Sequence, residues 1–310
     1  MENPPRVVIT GINGFVGRHL SRELHGQSLP VVGVGKEPEI DKEISGIVDD
    51  YHVADLTQEW PEISDVSTVI HLAGLAAVGP SFEQPQVYIN TNTSMVTNLC
   101  EHYRKKADKP RLLIVSSGAV YGSEEVVSDE DSPIEFSSPY VVSKIAVENQ
   151  AKYYRARGLD CIVARPFNHI GPGQGPGFLL PELYSKISSL KDGDSSIRVG
   201  NLKTKRDYTD VRDIVRAYGL LALAPSLEHD TYNVCSGSCL PGTKILEILK
   251  RSMSLEGIKA IEDPSLLRPT DIMEKAGDPS RIKEELGWEP KIKIEQTIDD
   301  FVRDKEGRAV

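Results

Sequence analysis

Arg6-Val7-Val8-Ile9-Thr10-Gly11-Ile12-Asn13-Gly14-Phe15-Val16-Gly17 decides the fold. Arg6 to Thr10 reads as a fully buried strand, and the glycines after it read as a turn into a helix running through about His25. Gly11 sits where the strand turns, Gly14 lets backbone approach a diphosphate, and Gly17 lets helix and strand pack closely. The helix amino terminus, with Phe15 and Val16 in its first turn, then offers N–H groups and a positive dipole end to phosphate. The spacing is G-x-x-G-x-x-G rather than G-x-G-x-x-G, which points to a subset of dinucleotide-binding folds.

The rhythm continues outward. Pro30 to Gly35 reads as a second strand, Ile47 to Val53 contains a third that ends at Asp55-Leu56, and Thr68 to Leu72, Arg111 to Ser116 and Cys161 to Arg165 continue the series. Helical stretches near Pro85 to Lys106 and Pro139 to Arg157 should lie together on one face. Strands alternating with helices, several without polar alternation, predict an α/β fold with a doubly wound parallel sheet and right-handed crossovers. After Arg165 the texture changes, and Asn168 to Gly177 reads as an irregular loop rich in glycine and proline. Helices near Leu180 to Leu190, Val211 to Leu223, Thr243 to Met253 and Ile294 to Val302 follow, with short strands near Ile197 to Val199 and Tyr232 to Cys235. The expected division is a Rossmann domain over residues 1–166 and a smaller C-terminal substrate-binding lobe over residues 167–310, with segments near 211–235 returning to the sheet.

The 310 residues suffice for a substantial core, with 39% hydrophobic and 26% charged residues. A net charge of −10 argues against general affinity for nucleic acid or an anionic membrane, so an anionic ligand needs a local cluster of Arg or Lys. Four cysteines are too sparse for a disulfide framework, and Cys235 and Cys239 lack a second pair at zinc-like spacing, so no metal site is expected. No basic-then-apolar leader and no apolar run of membrane-spanning length is seen, and a cytoplasmic location is expected.

Two further segments carry chemistry. A ketone reduced by hydride develops alkoxide character and needs a proton donor at oxygen. Tyrosine, with a pKa of about 10, is a poor base for the reverse reaction, and a lysine at i+4 would favour the phenolate. Tyr140 and Lys144 have that spacing, Pro139 suits the first helical turn, and Ser117 just after a strand can bond the same substrate oxygen. At the other end of the cofactor, the second strand closes with Gly35-Lys36 where an acid would favour NAD. Lys36, helped by Arg18, would meet the 2′-phosphate of NADP, which is therefore preferred with NAD possible; Glu37 works against this if the loop folds back. Asp55 and Leu56 are placed to reach the adenine edge, and Asp55 would also serve as a helix N-cap.

These residues, with His71-Leu72-Ala73-Gly74, Asn92, Arg206-Asp207-Tyr208-Thr209-Asp210 and Arg268-Pro269-Thr270-Asp271, resemble the extended short-chain dehydrogenase/reductase family acting on nucleotide sugars. Arg165-Pro166-Phe167-Asn168-His169-Ile170-Gly171-Pro172-Gly173-Gln174 and Tyr232-Asn233-Val234-Cys235-Ser236-Gly237 are most similar to its GDP-4-keto-6-deoxy-mannose reductases, which form GDP-rhamnose or its C4 epimer. The resemblance implies a catalytic triad of Ser117, Tyr140 and Lys144, with Lys144 also holding the nicotinamide ribose. It implies cofactor contacts from Leu72, Ala73, Gly74 and Asn92, and contacts to the sugar diphosphate from Asn168, Arg206 and Arg268. It also implies a homodimer. Sugar 4,6-dehydratases of the family carry an acid after the catalytic hydroxyl residue, and GDP-fucose-forming enzymes a cysteine. Here Gly118-Ala119 follow Ser117. His169 is more often structural at such a place than an acid/base. An NADPH-dependent reductase, an NAD-dependent 4-epimerase and, outside enzymes, a non-catalytic dinucleotide-binding protein all stay open, the reductase leading.

Overall fold

The computed structural model of the chain describes residues 6–191, 193, 195–266 and 272–308. The first half runs β1 (Arg6–Thr10), α1 (Phe15–Gly26), β2 (Val31–Gly35), β3 (Asp50–Val53), β4 (Val66–His71), α2 (Val78–Glu83), α3 (Pro85–Arg104) and β5 (Arg111–Val115). A two-residue strand β6 (Val127–Ser128) precedes α4 (Pro139–Arg155), β7 (Cys161–Pro166) and β8 (Asn168–Ile170). The rest is α5 (Leu179–Ser188), β9 (Ser196–Val199), β10 (Lys205–Asp210), α6 (Val211–Leu223), β11 (Thr231–Val234), β12 (Cys239–Pro241), α7 (Gly242–Ser252), β13 (Lys259–Glu262), β14 (Glu274–Gly277), α8 (Ser280–Leu286) and α9 (Ile294–Lys305).

Seven parallel strands form the main sheet in the order β11-β7-β5-β4-β1-β2-β3. Its strands are apolar on both faces because both faces are covered. Val7 and Ile9 point into the cluster under α1 and α6, whereas Val8 joins Val96, Leu99 and Val147 of α3 and α4 on the other side. The two long helices therefore share a face. Strand order reverses between β1 and β4, whose ends are paired Thr10 to His71, and such a switch point is where a doubly wound sheet opens a crevice for ligand.

Residues 211–234 return to this sheet: α6 packs with α1 in one core, and β11 extends the edge beside β7. A separate core under the strand ends draws on Leu180, Ile197, Leu249 and Phe301. Between the two cores lies a second sheet, β12-β10-β14-β6 with β8 against β10. Most of it differs from the sequence expectation: Asn168 to Ile170, expected as irregular loop, pairs in parallel with Tyr208 to Asp210. The polar β10 is tolerable inside because the Asp207 carboxylate collects the N–H groups of Ser236, Gly237 and Gly277, contacts that exist only after folding.

Candidate active site

The glycine turn is shaped by close approach. Gly11 has φ +65°, in the left-handed region, and a β-carbon there would lie 3.0 Å from Ala73 Cα. A β-carbon on Gly17 would stand 2.5 Å from the Gly11 carbonyl oxygen, so helix and turn touch without side chain between them. Gly14 is the N-cap of α1, with no side-chain cap and no acid in the first turn, which leaves that helix end suited to an anion. This cradle fits a dinucleotide diphosphate. Thr10, not singled out in the sequence, ties the two switch-point loops: its Oγ1 accepts the Ala73 N–H at 3.1 Å and meets His71 Nδ1 at 2.9 Å. Burial, with the nearby Lys144 charge, pushes His71 down to about 3, so its ring is neutral.

At the adenosine end the loop after β2 folds back. Asn13 Nδ2 donates to the Glu39 carbonyl at 3.0 Å, Asp41 N–H donates to Asn13 Oδ1 at 2.9 Å, and Tyr51 OH donates to the Glu37 carbonyl at 2.8 Å. This brings Glu37 Oε2 to 2.9 Å from where a Gly35 β-carbon would stand. The condition named for Glu37 is thus met, beside an exposed Lys36. Arg18 does not join Lys36. Its guanidinium donates to the carbonyls of Asn13 (2.8 Å) and Gly173 (3.2 Å) and reaches Asp41 (3.4 Å). Asp55 is not a helix N-cap, since only a turn follows it; its Oδ1 accepts from the N–H and hydroxyl of Thr57, bonds that hold its carboxyl below the usual range. Leu56 is buried beside it.

Ser117, at the carboxyl end of β5, caps a short 3₁₀ turn by accepting the Ala119 N–H at 3.1 Å. Across from it, Ser138 caps α4 by accepting the Val141 N–H, and Pro139 fills the first turn. That start turns Tyr140 and Lys144 inward, only 7% and 9% exposed. The Lys144 ammonium donates to the Val115 carbonyl at 2.8 Å and lies 5.8 Å from the centre of the Tyr140 ring. Burial pushes the Tyr140 phenol up, a Ser117 hydrogen bond working against it, and burial brings Lys144 down to about 8. The expectation that Lys144 lowers Tyr140 is therefore corrected. Here desolvation outweighs any charge on the phenol, and the ammonium is turned to a backbone carbonyl.

Asn92, expected as a cofactor contact, is committed within the protein. Its Oδ1 accepts the Leu75 N–H (2.9 Å), and its Nδ2 donates to the Leu75 carbonyl (3.2 Å) and to Ser143 Oγ (2.9 Å), which in turn donates to the Tyr140 carbonyl (2.7 Å). Asn92 thereby pins the Leu72–Gly74 loop to the helix turn that carries Tyr140 and Lys144. A β-carbon on Gly74 would lie 3.2 Å from Asn92 Oδ1 and 3.9 Å from Lys144 Nζ, so the loop passes directly over both.

The Phe167 ring lies 2.6 Å from the position of a Gly118 β-carbon, filling the space beside Ser117. Asn168 is exposed on β8, and His169 stacks on Phe15 with ring centres 6.2 Å apart. His169 Nδ1 meets the Phe167 carbonyl at 3.0 Å, and burial lowers its pKa, which suits a neutral structural ring. Arg206 stands half-buried on β10 with Nη1 donating to the Lys205 carbonyl. Arg268 lies outside the described residues. Among the described residues there is no cluster of three or more His, Cys, Asp or Glu able to hold a metal, and no helix is long and apolar enough to cross a membrane. All four cysteines are free thiols.

Comparison with known proteins bears on this arrangement. The sequence profile of the family described as GDP-mannose 4,6 dehydratase matches residues 8–301. The chain is 31% identical to the GDP-6-deoxy-D-mannose reductase of Pseudomonas aeruginosa across 98% of both chains, and 28% identical to a UDP-glucose 4-epimerase of Bacillus subtilis across 96% of both. The solved structure of RMD from Pseudomonas aeruginosa complexed with NADPH is similar at TM-score 0.82 and 29% identity, covering 98% of this chain and 100% of that one. That of TunA, an NAD-dependent NDP-hexosamine 5,6-dehydratase, is similar at TM-score 0.84 and 26% identity, covering 98% and 99%.

Proposed function

The chain belongs to the GDP-mannose 4,6 dehydratase family, and from that membership we propose that it is an NADPH-dependent reductase of a nucleotide-linked 4-keto-6-deoxy sugar, GDP-4-keto-6-deoxy-D-mannose foremost. The observation that carries the reading is the pairing of a complete Ser117, Tyr140 and Lys144 set with a closed position at Gly118. The family's dehydratases need an added acid after the hydroxyl residue, and its GDP-fucose-forming members a thiol. Here Phe167 leaves no room beside Gly118, and Ala119 brings only a methyl group.

In this reading Gly11, Gly14 and Gly17, with the Phe15–Val16 turn, hold the diphosphate of the cofactor, and Leu72, Ala73 and Gly74 line its path. Lys36 takes the 2′-phosphate, and Asp55 and Leu56 meet the adenine edge. Bound NADPH supplies the hydride. Ser117 orients the C4 ketone, and Tyr140 gives its proton to the oxygen as negative charge develops there. A phenol held above its ordinary range is protonated at neutral pH, which suits a donor in the direction of reduction. Lys144 would hold the nicotinamide ribose, and solvent would return the proton to Tyr140. From the lobe over residues 167–310, Asn168 would bond the sugar diphosphate through its amide, and Arg206 and Arg268 would grip it with forked guanidinium groups that supply local positive charge on a chain of net charge −10. A homodimer in the cytoplasm completes the reading.

A second reading, an NAD-dependent 4-epimerase, draws on Glu37. A carboxylate folded over the end of β2 is where an NAD ribose is bonded in such folds. Mixing the protein with GDP-4-keto-6-deoxy-D-mannose and NADPH separates the two. NADPH oxidation with one C4 epimer formed, by NMR, supports the reductase. Tightly bound NAD released on denaturation, with no NADPH consumed, favours the epimerase.

A further inference from the structure

A buried carboxylate outside the triad shares a helix with Lys144 and bonds the residue before Ser117. Glu148 is 8% exposed, one turn after Lys144 on α4. Its Oε1 accepts from Ser116 Oγ at 2.5 Å and from Arg165 Nε at 3.0 Å, and its Oε2 accepts from Arg165 Nη2 at 2.7 Å. Arg165, on β7 and equally buried, spends Nη1 on the Tyr121 hydroxyl (2.9 Å) and the Glu130 carbonyl (3.0 Å). Every polar end of this network has a partner, so the anion is locked in place.

We infer that Glu148 is a positioning residue: clamped between Ser116 and Arg165, it joins the strand end that presents Ser117 to the helix turn that presents Lys144, and turns one negative charge toward that ammonium. The groups facing Lys144 from each side leave this role open to it. On α4 these are Tyr140 and Glu148, from β4 the neutral His71, from β5 the Val115 carbonyl, and from α3 Asn92, which shares the Gly74 position with Lys144; Arg165 of β7 lies at the far side of Glu148. Burial alone drives Lys144 toward its neutral form, and Glu148 is the charge that opposes this. By Coulomb's law the Arg165 guanidinium, a like charge behind Glu148, opposes the cationic form of Lys144, so removing either partner is expected to change the balance with opposite sign.

This inference rests on the proposed role of Lys144 at the nicotinamide ribose, and its test reads NADPH binding rather than turnover. Affinity, followed by fluorescence from neutral to alkaline pH, should weaken as Lys144 loses its proton. The midpoint should fall by about one pH unit in Glu148→Gln and rise in Arg165→Met. The double variant Glu148→Gln/Arg165→Met should return toward the wild-type midpoint. It should also fold where an unpaired single partner does not, because no buried charge is left alone. General disruption cannot move a midpoint in two directions. Shifts of the same sign, no shift, or a wild-type affinity indifferent to pH would overturn the inference. If Glu148→Gln does not fold, an Arg165→Met midpoint that stays or falls does so by itself. Absence of turnover on the keto sugar would count against the proposed reaction and leave this result standing.

Discussion

The Phe167 ring stands 2.6 Å from the point that a β-carbon on Gly118 would occupy, and 2.5 Å from the corresponding point at Gly277. The residue after Ser117 is a glycine because Phe167, between β7 and β8, already fills its side-chain space.

Gly118→Ala should therefore cost about 1–3 kcal/mol in denaturant unfolding, the usual penalty of overpacking. Pairing it with Phe167→Leu should recover part of that loss. Equal stability of Gly118→Ala and wild type would show that the ring yields freely, and would remove the packing argument against a second acid or thiol at this site.

Tyr140→Phe should lower turnover of the keto sugar by about 10²-fold or more, the usual worth of a positioned proton donor. NADPH binding should stay within about twofold, since the ring and its packing are kept. Retained turnover would move proton donation elsewhere, and Ser117 would be the first place to look.

Lys144 has a folded pKa of about 8 against an ordinary 10.5. The folded state thus binds fewer protons than the unfolded chain between those values, and stability rises with pH there. Below about pH 8 the buried cation is a standing cost of a few kcal/mol. Lys144→Met should remove it, so its stability advantage over wild type in urea should be largest near neutrality and shrink toward pH 10.5. An advantage independent of pH would mean that Lys144 titrates normally.

Glu37 and Lys36 oppose one another at the end of β2. Glu37→Ala should raise the preference for NADPH over NADH, measured as the ratio of dissociation constants, by about tenfold. Lys36→Ala should lower it. No change in either ratio would mean that neither side chain reaches the adenosine ribose, and the preference would have to be sought at Arg18 or Asn13.

Much of the fold was legible because its signals are local. Arg6 to Thr10 could only be a buried strand, Gly11, Gly14 and Gly17 mark a turn into a helix, and Val211 to Leu223 carries its own helical period and N-cap. The second sheet was not legible. Strands such as Lys205–Asp210 and Asn168–Ile170 are short and polar, and become strands only because each meets the other and Asp207 finds donors in β14 and the turn after β11.

The site divides in the same way. Tyr140 and Lys144 stand one helical turn apart on any helix, so their proximity was written in spacing alone, whereas Ser117 reaches them only because β5 and α4 pack together. What surrounds them was not so written. Glu148 meets Ser116 and Arg165, Asn92 meets Leu75 and Ser143, and Phe167 meets Gly118 across strands and helices distant in the chain. Sequence determines which groups share a turn. Tertiary packing decides how much water each loses and which charge faces it, and those two quantities set whether Tyr140 holds its proton and Lys144 its charge.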